Sequence, residues 1–160
     1  MKKKIIITGG LGYIGTELCK LYSGVSWHHE ITVIDNRFIS ERVNQIRNWN
    51  MQFIQGDILD KNLIKKYCAD ADVIHHLAGI TDVPRTKNEA SVEQDQKIKE
   101  VGEVGTQNIL DVIGDKCKII FPSTHVVYEG IDEIKNDIKN IELGLGVILI
   151  GDNKSSQIYV

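Results

Sequence analysis

No stretch of the chain is both apolar and long enough to span a bilayer, so a membrane-crossing helix is not expected. The apolar run after Met1-Lys2-Lys3-Lys4 breaks at Thr8-Gly9-Gly10. That is too short for the apolar region of a secretory signal. Cysteine is scarce. Cys19, Cys68 and Cys117 are odd in number, widely spaced and form no metal or redox motif. They read as small buried apolar residues in a protein of the reducing cytoplasm. His28 and His29 have no further ligands at suitable spacing, so no metal site is expected. An excess of basic charge is also missing. The net charge of −3 gives no electrostatic reason to expect nucleic acid or an anionic membrane as partner. There is no low-complexity tract. What remains is a globular composition over 160 residues, enough for one domain with a real core.

The most informative stretch is Ile5-Ile6-Ile7-Thr8-Gly9-Gly10-Leu11-Gly12-Tyr13-Ile14-Gly15. A strand-like run enters a glycine-rich turn, and a helical pattern follows from about Tyr13 to Tyr22. This is the pattern of a dinucleotide-binding βα unit. Gly9 and Gly10 suit backbone angles that other residues avoid. Gly12 permits close approach to a pyrophosphate, and Gly15 permits tight packing of helix on strand. The helix start offers free N–H groups and a positive dipole end to phosphates. Asp35 ends a second strand-like run, twenty positions after Gly15, where a ribose hydroxyl is held in such folds.

Along the chain, strands are expected at Ile31 to Asp35, Met51 to Gln55, Asp72 to Leu77 and Lys118 to Phe121. Between them, Ser40 is expected to cap a helix to about Asn48, and another helix runs from about Lys61 to Cys68. Gln96 to Ile113 has helical spacing, with Gly102 and Gly105 either weakening the helix or allowing close packing. His75 and His76 point to opposite faces of their strand and read as packing residues. Five such units argue for an α/β, doubly wound parallel sheet of Rossmann type, strand order 3-2-1-4-5. Leu145 to Ile150 is an apolar run suited to a sixth, parallel strand from the tail, reached through a helix over Ile131 to Glu142.

These motifs resemble the extended short-chain dehydrogenases/reductases, and within them the NAD-dependent epimerase/dehydratase family that acts on nucleotide sugars. The resemblance covers about residues 3 to 138. Thr8-Gly9-Gly10-Leu11-Gly12-Tyr13-Ile14-Gly15 is similar to the TGxxGxxG signature. Val33-Ile34-Asp35-Asn36 is similar to the NAD-selecting acid segment, Gly56-Asp57-Ile58 to the adenine segment, and His76-Leu77-Ala78-Gly79 to the strand-four cofactor segment. Ser123-Thr124-His125-Val126-Val127-Tyr128 is similar to the strand-five motif. The resemblance implies NAD as cofactor and a nucleotide sugar as substrate of the parent family. It places Gly9, Gly12, Tyr13, Ile14 and Gly15 by the pyrophosphate and Asp35 and Asn36 by the ribose. Asp57 and Ile58 would flank the adenine, and Leu77, Ala78, Gly79 and Thr81 the nicotinamide half. Thr124 would hydrogen-bond the substrate hydroxyl being oxidised. NAD is expected in preference to NADP, with Arg37 read as a solvated turn residue. Neither the sugar nor an oligomeric state is written in these motifs.

The chain also departs from the family pattern. Gly102 stands where an Asn is common. His125-Val126 replaces the Asp-Glu pair of the 4,6-dehydratases, which argues against that reaction. No Tyr-x-x-x-Lys pair occurs, because Glu17, Ser26, Ala71 and Asp132 stand four residues after the first four tyrosines. Residues 143–160 resemble instead a segment of methylenetetrahydrofolate dehydrogenase/cyclohydrolase. The expected division is therefore a dinucleotide-binding domain over 1–138 and an atypical tail over 139–160, with a junction near 138–143. Three readings stand side by side: an NAD-dependent nucleotide-sugar oxidoreductase, a non-catalytic NAD-binding module, and a truncated or fused fragment without function. A threonine of ordinary acidity is no base near neutral pH, so Thr124 alone cannot take the hydroxyl proton. Purified protein is expected to give no epimerase or dehydrogenase turnover, and detected turnover would reveal a base elsewhere in the chain.

Overall fold

The computed structural model describes residues 1–80, 92–122, 148–152 and 155–159. Strands β1 (Lys4–Thr8), β2 (Glu30–Asp35), β3 (Gln52–Gln55), β4 (Val73–His76) and β5 (Lys118–Pro122) form a parallel sheet in the order β3-β2-β1-β4-β5. Helices α1 (Tyr13–Ser23), α2 (Ser40–Asn48) and α3 (Lys61–Cys68) connect the first four strands. The expected doubly wound topology is the one observed. Its reason is visible in β1, whose three isoleucines are buried on both faces. Ile5 and Ile7 pack with Cys19, Val33, Val43 and Ile46 on the α1–α2 side. Ile6 packs with Ile58, Ile64, Ile74 and Ile109 on the other. A strand buried on both faces has to be central, and β1 lies between β2 and β4.

Helix ends follow local chemistry. Asp60 caps α3, its carboxylate accepting from Asn62 N at 2.9 Å and Leu63 N at 3.1 Å. Ser40 does not cap α2, contrary to expectation. It is already the first helical residue, and Ile39 occupies the cap position without a side-chain bond. The span expected as one helix over Gln96 to Ile113 is divided into α4 (Val92–Lys99), a wider π-helical turn (Glu100–Gly105) and α5 (Thr106–Leu110). Two glycines weaken the regular helix there. Thr106 Oγ1 also donates to the Gly102 carbonyl, in competition with the backbone. Gly105 is pressed onto the Ile58 side chain so closely that a Cβ would overlap it.

The tail corrects one expectation. A sixth strand, β6 (Ile148–Asp152), does pair with β5, but antiparallel rather than parallel, with Ile120 opposite Ile150. A seventh, β7 (Ser155–Tyr159), pairs antiparallel with β6. An apolar run specifies a buried strand but not its direction, which the connection and the next hairpin decide. The expected helix over Ile131 to Glu142 lies outside the described residues.

Ile74 is fully buried at the centre of the second core. Ile74→Ala is expected to lower stability by about 2–5 kcal/mol, and Asp60→Ala by about 1 kcal/mol. Urea unfolding of the two variants checks both the size and the order of these losses.

Candidate cofactor site

The carboxyl ends of β1 and β4 face a crevice where the strand order reverses, the usual ligand position in an open α/β sheet. The glycine turn forms its floor. Gly9 has φ +70°, a left-handed conformation, and its N–H donates to Ile34 O at 2.8 Å. A Cβ at Gly9 would fall 2.6 Å from Ala78 N. Gly15 brings α1 onto the turn itself, where a Cβ would fall 2.6 Å from Gly10 Cα. Gly10 differs from expectation. Its φ is not positive, and its need for glycine comes from Val33, whose side chain would overlap a Cβ. Gly12 occupies the cap position of α1 with no side-chain cap, and the first turn holds no acid. Unlike α3, this helix start keeps its N–H groups available. Tyr13 and Ile14 are exposed at the same end.

The acid at the end of β2 is tightly held. Asp35 is buried, at 5% exposure, and its Oδ2 accepts from Leu11 N at 2.9 Å. Its Oδ1 accepts from Arg37 N at 3.0 Å and from Arg37 Nε at 3.3 Å. Arg37 is therefore an ion-pair partner of Asp35, while its side chain stays 56% exposed, as expected of a solvated turn residue. Arg42, on α2, donates from Nη1 to the Leu11 carbonyl. The Leu11 peptide is thus gripped at its N–H by Asp35 and at its C=O by Arg42. Asn36 Nδ2 donates to Asp57 Oδ2 at 3.1 Å, so these two predicted residues meet beside Asp35. Ile58 is different. Its side chain lies in the core against Gly105, which leaves only its backbone near the crevice. The Ile58 carbonyl is in turn held by Asn108 Nδ2 at 3.0 Å, and Asn108 is buried.

The strand-four segment is fixed by a polar relay with one consistent direction. Thr106 Oγ1 spends its proton on the Gly102 carbonyl, so at 3.0 Å it accepts from His76 Nε2–H. His76 Nδ1 is then unprotonated and accepts from Thr8 Oγ1–H at 2.8 Å. Thr8 Oγ1 accepts in turn from Ala78 N–H at 3.3 Å. His76 thus ties the end of β1, the Leu77-Ala78-Gly79 segment and the π-helical turn together. His75 points to the opposite face, where its Nε2 lies 2.8 Å from Tyr22 Oη. The sequence marked both histidines as packing residues. It gave no sign of Thr8, Thr106, Asn108 or Arg42 as partners, because their contacts join elements far apart in the chain. Thr81 and Thr124 lie outside the described residues. The three cysteines are free and buried, and burial holds the thiols of Cys19 and Cys68 up at about 12 and that of Cys117 at about 11. They are poor nucleophiles. Among the described residues, no helix is long and apolar enough to cross a membrane.

Comparison with known proteins places this geometry. The family model described as the 3-beta hydroxysteroid dehydrogenase/isomerase family matches residues 6–142. The chain belongs to that family. Its curated relatives include UDP-N-acetyl-alpha-D-glucosaminuronate decarboxylase of Bacillus cytotoxicus, 37% identical over 80% of this chain and 38% of the relative. They also include CDP-paratose 2-epimerase of Salmonella typhi, 31% identical over 82% of this chain and 40% of the relative. Among solved structures, UDP-N-acetylglucosamine 4-epimerase of Methanobrevibacter ruminantium, in complex with UDP-N-acetylmuramic acid, matches with TM-score 0.61. It is 26% identical over 80% of this chain and 40% of that one. UDP-glucose-4-epimerase of Stenotrophomonas maltophila, with NAD bound, matches with TM-score 0.57 at 21% identity, over 79% of this chain and 38% of that one. The chain thus spans about two fifths of the length of the relatives it matches. The epimerase/dehydratase resemblance of its motifs is borne out for residues 6–142.

Burial holds the His76 imidazole down at about 4, against an ordinary 6.5, and lowers that of His75 as well. Between these values the unfolded chain binds protons that the folded chain refuses, so stability is full above about 6.5 and falls as the pH drops toward 4. The loss at His76 is expected to reach roughly 3 kcal/mol. Urea unfolding from pH 7 to pH 4 measures it, and in His76→Gln most of that acid sensitivity should be gone.

Proposed function

We propose that this chain binds NAD and forms the dinucleotide-binding part of an oxidoreductase of epimerase/dehydratase type acting on a nucleotide sugar. The observation that carries the reading is the uncapped start of α1 over a glycine cradle, with buried Asp35 beside it. The turn fits a pyrophosphate in that Gly12 puts no side chain over the uncapped start of α1, while Gly9 and Gly15 allow the turn to sit against Ala78 and the helix. Gly9, Gly12, Tyr13, Ile14 and Gly15 would hold the pyrophosphate, and Asp35 and Asn36 the adenosine ribose. Asp57 and the Ile58 backbone would line the adenine, with Leu77, Ala78, Gly79 and Thr81 on the nicotinamide side. A bound nicotinamide supplies a hydride acceptor for oxidation of a sugar hydroxyl, and Thr124 would orient that hydroxyl. The solved relatives, bound to UDP-N-acetylmuramic acid in one case and to NAD with a formylated UDP-arabinopyranose in the other, support the same classes of ligand.

A second reading has its own support. The sequence holds no Tyr-x-x-x-Lys pair, which favours a module over residues 1–138 that binds NAD without turnover. The two readings share the cofactor and differ in the chemistry.

Isothermal titration of the whole chain with NAD tests the common part. Saturable binding is expected. Asp35→Ala should weaken it about tenfold or more, through loss of the ribose acceptor and of the Leu11 N–H bond. Gly15→Ala should abolish it, because the new methyl meets Gly9 and Gly10. Circular dichroism reports whether each variant is folded. No binding by the folded wild-type chain would overturn the proposal.

A further inference from the structure

The glycine turn is held in part by groups from outside its own motif. Leu11, in the middle of the turn, is fully buried and shares a core cluster with Ile5, Ile7, Val43 and Ile46. A buried residue needs partners for both its N–H and its C=O. Within the turn, Gly9 N–H donates to Ile34 O at 2.8 Å and Gly12 N–H donates to Gly9 O at 3.0 Å. Neither bond involves Leu11. Its N–H goes to Asp35 Oδ2 at 2.9 Å, and its carbonyl accepts from Arg42 Nη1. Among the described residues, no backbone N–H is bonded to that carbonyl. It depends instead on a side chain of α2, 31 residues further along the chain.

Arg42 is anchored for this contact. Its neighbours Val43 and Ile46 are buried and fix α2 on the sheet. The residue is half-buried, and among the described residues it has no carboxylate at ion-pair distance. Its charge is thus spent on a peptide carbonyl, in a bond stronger than one between neutral groups. Without that donor a buried carbonyl is left unpaired, which costs more than one ordinary hydrogen bond contributes. The Leu11–Gly12 peptide would turn to find another partner, and Gly12 is the residue from which α1 starts. The direction of the first open N–H groups of α1 therefore follows from the Arg42 contact.

We propose that Arg42 is a positioning residue for ligand binding at the glycine turn. It does not touch the ligand. It holds the Leu11 carbonyl and so fixes in advance the peptide groups that a pyrophosphate meets. Such preorganisation raises affinity, because the ordering is complete before the ligand arrives. The proposal rests on the reading of the crevice as a dinucleotide site, and adds that part of the affinity is set from α2.

The test combines calorimetric titration with NAD and amide hydrogen exchange of the ligand-free protein, on the whole wild-type chain, Arg42→Met and Arg42→Lys. Methionine keeps much of the stem and loses the donor, whereas lysine keeps a donor and the charge. In Arg42→Met, NAD binding is expected to weaken about tenfold. Exchange should quicken about tenfold or more at the amides of Leu11 and Gly12 and stay unchanged at Ile5 to Ile7. Arg42→Lys should bring both readings back to within about threefold of wild type. A purely structural Arg42 would lower the melting temperature and leave the NAD affinity of the folded variant as it was, an outcome that overturns the proposal. So does weakened binding with wild-type protection at Leu11 and Gly12, because the guanidinium would then act on the ligand itself. Circular dichroism reports folding. If Arg42→Met does not fold, Arg42→Gln, which lacks both the charge and the length, takes its place with the same expected readings. Failure of folded wild type to bind NAD would instead remove the dinucleotide reading, and the proposal with it.

Discussion

Gly9 sits where β1 ends, so close to the strand-four segment that a Cβ would lie 2.6 Å from Ala78 N. This approach of backbone to backbone governs the rest of the crevice. It allows Thr8, one residue earlier, to accept from Ala78 N–H and donate to His76. On the other side of the turn, the absence of a side chain at Gly15 lets α1 begin directly on Gly9 and Gly10. The open N–H groups of the helix are thereby brought to the carboxyl end of the sheet, where a negative ligand group gains from them. A methyl at either glycine would push two elements apart, and the crevice would lose its floor rather than one contact.

The buried polar side chains around this turn are arranged so that each is satisfied. Among the described residues, no buried side-chain nitrogen or oxygen lacks a partner. In a weakly polar interior that completeness matters, because an unpaired group costs more than a paired one contributes. His76 shows the consequence. Its neutral form fits the relay from Ala78 through Thr8 to Thr106 and Gly102, and a second proton would set two donors against Thr8 Oγ1. Asp35 shows the counterpart for a charge. It is tolerated in the interior because backbone amides and a guanidinium reach it together.

The π-helical turn belongs to the same construction. Regular helix would be expected across Glu100 to Gly105, and the residues that disturb it are the ones that tie it to the site. Gly105 admits the Ile58 side chain, and Thr106 receives the end of the His76 relay. Asn108, one turn further along, pins the Ile58 and Leu59 carbonyls. A locally irregular helix thus braces both the Ile58 segment and the strand-four segment beside the crevice, in line with the frequent occurrence of such turns at functional sites.

Much of this was settled by the sequence alone. The isoleucine run, the spacing of Gly9 to Gly15 and the acid at Asp35 are local patterns, and local patterns report strands, turns and helix starts through period and conformational preference. They carried the sheet order, the glycine turn and the acid at the end of the second strand. Three things were decided only by the tertiary structure. Arg37 became the partner of Asp35, His76 acquired one tautomer, and β6 joined the sheet antiparallel. In each case the outcome depends on groups that meet in space. A guanidinium follows the nearest buried charge, an imidazole takes the tautomer that its two neighbours demand, and an apolar strand pairs in the sense that its connections allow. For His76 and β6 this is no property of a residue and its sequence neighbours, because the energy resides in contacts between segments that only the folded chain brings together. Arg37 lies two residues from Asp35, and what the fold decided there was the burial of the carboxylate that the guanidinium follows.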